Sequence, residues 1–88
     1  MDDAVRLWLV ERDYDDRNLI TLVYATTDGE RCVRTEQSAA VMNRQGTTVT
    51  AAVDAEPADL DTVDEADRER YATEATRMAE TCDPDEEV

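Results

Sequence analysis

The dipeptide Asp28-Gly29 constrains this chain more than any other pair of its residues. It stands between "NLITLVYATT" and "ERCVR", two stretches in which apolar and polar residues tend to alternate. Asp-Gly between such stretches predicts a tight antiparallel hairpin with positive φ at both central positions. Strand side chains alternate between faces, so the turn also sets a register. Thr27 is expected opposite Glu30, Ala25 opposite Cys32, Tyr24 opposite Val33 and Val23 opposite Arg34.

Upstream, "VRLWLVER" has the same period, with Val5, Leu7 and Leu9 on one face and Arg6, Trp8, Val10 and Arg12 on the other. Three consecutive antiparallel strands follow, near 4–13, 18–27 and 30–37. "TTVTAAV" (47–53) suits a fourth strand, with Val49, Ala51 and Val53 on one face. Between them, Ser38 either caps one helical turn that ends before Gly46 or leads the third strand into a loop. Pro57 marks the start of a short helix.

The clearest helix is "DEADRERYATEATRMAETCD", with Asp64 as N-cap and Glu65 and Asp67 in a first turn that favours anions. Tyr71, Ala75, Met78, Ala79 and Cys82 form a narrow apolar stripe, and Pro84 stops the helix. On the wet side, Asp64/Arg68 and Arg70/Glu74 stand four residues apart as ion-pair candidates. The expected fold is α+β: an antiparallel β-meander of three to four strands with a C-terminal α-helix packed on one face. Residues 1–82 make a single compact domain, and 83–88 read as a flexible acidic tail.

Composition complicates this picture. The net charge is −14, all nine bases are arginine, and Val, Leu and Ile together make up 15 of 88 residues. Such a balance ordinarily signals disorder. The apolar residues of the first half are concentrated and periodic, however, so adaptation to molar salt is the better reading. At about 1 M salt the screening length is about 3 Å, which mutes acid–acid repulsion, and hydrated carboxylates keep the surface soluble. The start "MDDAVRLWLV" does not read as a signal peptide, and no stretch approaches the roughly 20 apolar residues of a membrane span. Cys32 and Cys82 form no CxxC pair and are read as reduced and structural, which fits a cytoplasmic location.

"VRLWLVERDYDDRNLITLVYATTDGER", followed by "DRERYATEATRMAE" and "DPDE", resembles a small acidic protein family of haloarchaea with no assigned function. The resemblance spans nearly the whole chain and is weakest over about 36–50. It implies a halophilic archaeal source and a compact cytosolic domain, and it brings no catalytic residues.

The missing residues bear most on function. Without histidine the chain lacks a side chain that ordinarily titrates near neutrality, and without lysine it has no Schiff base or P-loop. One serine and two glycines complete a poor catalytic inventory. No catalytic, cofactor-binding or metal-ligating residues are assigned, and the chain is read as not an enzyme. The acidic stretch "RDYDDRN" (12–18) fails as a calcium loop. With Asp13 at position 1, Arg17 falls at position 5, Asn18 at the glycine position and Tyr24 at the terminal glutamate position. It reads as a polar hairpin loop. Cys32, near Arg34, is read as a small residue filling the sheet rather than a reactive thiol.

If the helix covers Val5, Leu7, Leu9, Ile20, Leu22 and Tyr24, the second face presents Arg6, Trp8, Val10, Arg12, Val23 and Arg34. Trp and Arg among aliphatics is the composition of an interface. The expected function is therefore a non-catalytic protein-interaction domain, pairing with itself as a homodimer or with another protein. The alternative is a small nucleic-acid-associated regulator using the same Arg/Trp face. The chain's acidity argues against that partner.

Overall fold

In a computed structural model the chain is described over residues 4–14, 16–38 and 49–87. Five strands, β1 (Val5–Tyr14), β2 (Leu19–Ala25), β3 (Arg31–Ser38), β4 (Ala52–Ala55) and β5 (Asp61–Thr62), form one antiparallel sheet. Among the described residues, a 3-10 turn at Pro57–Asp59 precedes β5, and a helix, α1 (Glu65–Thr81), follows it. The expected fold class is what the structure has: an antiparallel meander with a C-terminal helix on one face.

The hairpin sets the frame. The expected pairs Ala25–Cys32, Tyr24–Val33 and Val23–Arg34 all form. The turn itself differs from the expected two-residue type, because Gly29 is at positive φ (71°) and Asp28 is not. Thr26 C=O accepts from Gly29 N–H at 2.9 Å, and the Asp28 carboxylate accepts from Glu30 N–H at 2.9 Å and from the Thr26 hydroxyl. These bonds favour a longer loop over a two-residue turn. They also hold the Asp28 carboxyl below its ordinary pKa, the Thr26 bond first and the Glu30 amide second.

The β1–β2 connection is likewise a polar turn. Asn18 takes positive φ (64°) and its side chain accepts from the Tyr14 hydroxyl at 2.9 Å. Asp15 lies outside the described residues, as does 39–48, where a helical turn or a loop was expected.

The strand order is β4-β1-β2-β3-β5. β4 returns to lie beside β1 rather than β3, giving the 4-1-2-3 order of a Greek key. Of the expected 47–53, residues 47 and 48 lie outside the described residues, and the strand runs from Ala52 to Ala55. Ala51 C=O accepts from Leu9 N–H, and Thr50 bridges Glu87. Residues 84–87, within the segment expected as a flexible tail, lie beside the start of β4. Ala51 N–H donates to Glu86 C=O at 2.8 Å and Ala52 N–H to Pro84 C=O at 3.0 Å.

α1 lies on the face of Trp8, Val23 and Ala25, opposite to the one expected. Trp8 packs with Ala51, Ala52 and Ala75, flanked by Met78 and Cys82, while Tyr71 packs with Val23, Ala25 and Val63. A large ring among three alanines lets the helix sit close, which the small residues of the stripe permit. Ala79, assigned to that stripe, is exposed. The other face carries its own buried cluster, Leu7, Leu9, Leu22 and Tyr24, with Val49, Val53 and Leu60 packed against it.

Asp64 starts the helix through its backbone: its C=O accepts from Asp67 N–H at 2.9 Å, with no side-chain cap. The ion pairs also differ from those expected. Arg70 bridges Asp67 at 3.2 Å and Glu11 at 3.3 Å, and Arg77 reaches Glu74 at 3.7 Å. All are solvent-exposed, so each contributes at most about 1 kcal/mol.

Candidate interaction surface

The six residues expected to share one open face do not share it. Trp8 and Val23 are buried, at 8% and 1% exposure, and Val10 packs against the clusters beneath α1. Arg6 lies at the β4 side of the sheet, where its Nε donates to Asp54 at 3.1 Å. Arg12 is on the opposite face altogether.

A β-bulge at Val10 causes that reversal. Trp8 pairs with Ala25 and Leu9 with Tyr24, but the next pair is Glu11 with Val23. One extra residue in β1 puts both Val10 and Glu11 on the helix side, and everything beyond changes face. Glu11 thereby reaches Arg70 of α1. Arg12 comes to oppose Leu22 and stands near enough to Tyr24 to favour its ionisation, although burial wins and holds the Tyr24 hydroxyl above its ordinary pKa.

Arg34 stays on the helix side, in a recess with Cys32, Asp61, Asp64, Asp67 and Tyr71. Burial raises the Cys32 thiol pKa, Asp61 and then Asp64 add to that, and Arg34 opposes it without prevailing. The thiolate that a reactive cysteine needs is therefore disfavoured. Tyr71 is raised too, by burial first and by Glu11 and Asp67 after it. Among the described residues no three His, Cys, Asp or Glu side chains converge as metal ligands.

On the other face a cavity of about 320 Å³ opens beside β3, with Val33, Thr35 and Gln37 on one side and Val49 and Val53 on the other. It stands at the lower end of the size range of ligand sites, and its walls mix aliphatic side chains with Thr35, Gln37, Thr50 and Asp54.

Among the described residues, the outer edge of β3 is paired only at its start. On the inner side β2 pairs with the strand from Cys32 to Ser38, whereas on the outer side β5 pairs only with Arg31 and Cys32. Arg31 C=O faces β2, where it accepts from Thr26 N–H, and Glu30 C=O faces outward, where it accepts from Val63 N–H. Backbone groups alternate along a strand, so those of Arg34, Glu36 and Ser38 point outward. Among the described residues no strand partner meets them. At the opposite edge of the sheet, 84–87 cover the start of β4, at Ala51 and Ala52. Sequence reasoning missed this edge because it looked for side chains. The available signal was the polar run "RTEQS", which suits a strand with little apolar cover.

The fold defines the class: a small, acidic α+β domain, in which no described residue pairs with the outer edge of β3 beyond Cys32. The chain matches, over residues 1–88, the Family of unknown function (DUF7967), and it belongs to that family. No curated protein and no solved structure matches it. No helix among the described residues is long and apolar enough to cross a membrane.

Proposed function

We propose that this chain is a non-catalytic protein-interaction domain, working in the cytoplasm of a salt-adapted archaeal cell. It acts by accepting an extended strand, its own or another protein's, along the outer edge of β3. The observation that carries this reading is a difference between the sheet edges: the start of β4 is covered by the chain's own C-terminal segment at Ala51 and Ala52, while no described residue pairs with the outer edge of β3 beyond Cys32. Strand addition to such an edge supplies main-chain hydrogen bonds at once, with side chains tuning specificity.

The inventory of chemistry supports a non-catalytic role. There is no histidine or lysine. The perturbed groups are two tyrosines and a thiol kept neutral by burial, and Asp28 kept ionised by its turn. The nucleic-acid alternative draws no support from Arg6, Arg12 and Arg34, which stand on two faces of the sheet.

Glu36→Pro tests the reading. The Glu36 N–H points outward, so proline there blocks the edge and spares the β2–β3 ladder. Tagged wild-type protein in high-salt lysate is expected to retain bound chains that the Glu36→Pro protein loses. Equal capture by both would rule out the edge.

A further inference from the structure

Resting on that reading, we infer that the strand docking on β3 is the β3 of a second copy, antiparallel, about a two-fold axis at Thr35. Three observations select this occupant and this register.

The first is hydrogen bonding. A two-fold at Thr35 sets Arg34 opposite the second copy's Glu36, and both residues direct N–H and C=O outward. Each such pair exchanges two main-chain bonds, and the two-fold repeats it. Thr35 then meets Thr35 as the close, non-hydrogen-bonded pair between them.

The second is charge. Arg34 and Glu36 are exposed, sit on the same side of the strand, and make no ion pair with each other or with any other described residue. At Thr35 the two-fold joins Arg34 to Glu36 twice. One residue earlier it would set Arg34 against Arg34, and one residue later Glu36 against Glu36. Like charges directly opposite oppose pairing. No unrelated strand is guaranteed that pattern, whereas a second copy supplies it by symmetry.

The third is the position of β5. Its Asp61 occupies the edge beside Cys32. A two-fold at Arg34 would drive the second copy's Glu36 onto that spot and leave only 33–35 clear of β5, whereas a two-fold at Thr35 brings only its last strand residue, Ser38, there and leaves Val33–Gln37 clear of β5. On the cavity face, Val33 of each copy then lies across from Gln37 of the other.

The experiment uses the full chain, in the lowest KCl concentration at which it stays folded. Sedimentation equilibrium of the wild type is expected to show a monomer–dimer equilibrium. Arg34→Glu and Glu36→Arg should each weaken the dimer about tenfold, and the double swap should restore it. In a Cys32→Ser/Cys82→Ser background, Thr35→Cys should form a disulfide-linked dimer on mild oxidation, since the close pair falls within disulfide reach. Arg34→Cys and Glu36→Cys should not. Circular dichroism melts check that each variant folds.

A wild type that stays monomeric at every concentration, a double swap that fails to restore pairing, or cross-linking at 34 or 36 instead of 35 would overturn the inference. A purified monomer whose lysate partners are still lost in Glu36→Pro would defeat self-pairing and leave the edge reading standing. Indifference to Glu36→Pro would defeat both.

Discussion

Gly29 answers to two constraints at once. Its φ is positive, and a Cβ built on it would stand 2.2 Å from the Arg68 carbonyl oxygen and 2.9 Å from the Ala72 nitrogen. The hairpin tip is thus held directly against the backbone of α1, where the Thr76 hydroxyl also donates to Thr27 C=O at 3.3 Å. Left-handed backbone costs a non-glycine residue about 1–2 kcal/mol, and forcing atoms into a packed seam costs about 1–3 kcal/mol more. Gly29→Ala is therefore expected to lower unfolding free energy by about 2–5 kcal/mol, measured by denaturant titration. A Gly29→Ala chain as stable as wild type would show that the tip does not rest on the helix. Asp28-Gly29 was legible as a turn because the backbone demands glycine there. Its second duty, as the contact with a helix that starts at residue 65, has no local signature.

At the scale of elements, the least expected feature is the covering of the start of β4 by residues 84–87. Ala51 is fully buried and Ala52 nearly so, at 0% and 7% exposure, and their N–H groups depend on Glu86 and Pro84 carbonyls. Ending the chain at Asp83 should strand both donors. A buried unpaired amide costs about 1–3 kcal/mol, so the truncated protein is expected to unfold at lower denaturant. It should also self-associate more, since an uncovered edge recruits strands. An unchanged unfolding midpoint would mean that the segment does not seal the edge. This also shows where sequence reading stops. The β2–β3 register and the helix stripe were readable, because each is written in side-chain identity at a fixed period. The tail looked flexible because its attachment is made by backbone atoms, which every sequence shares. The bulge at Val10 was equally hidden, and it moved Arg12 to the other face. The choice of helix face failed for a different reason. Leu7, Trp8, Leu9 and Val10 are apolar in succession, and such a run marks a strand covered on both faces. That run was the available warning against an open Trp8 face.

The molecule as a whole must reconcile a folded core with an overwhelming negative charge. Its Cα radius of gyration is 13.0 Å, near the roughly 12 Å expected for a folded chain of this length and far from the roughly 29 Å of an unfolded one. A charge of −14 is confined within that radius. Residues 54–88 carry fourteen of the acids against three arginines. They include α1, the element that seals the Trp8 face, so repulsion is concentrated on the part whose docking the core requires. Its few ion pairs are exposed and too weak to offset this. Added salt shortens the screening length from about 10 Å at 0.1 M to about 3 Å at 1 M, which removes repulsion between surface acids and leaves the apolar seam intact. Raising KCl from about 0.1 M to about 2 M is therefore expected to raise the unfolding temperature, followed by circular dichroism at 222 nm. Sucrose, which stabilises by exclusion without screening charge, separates the two causes. If it matched KCl, electrostatic screening would not be the source of the gain, and equal stability at both KCl concentrations would exclude salt adaptation outright.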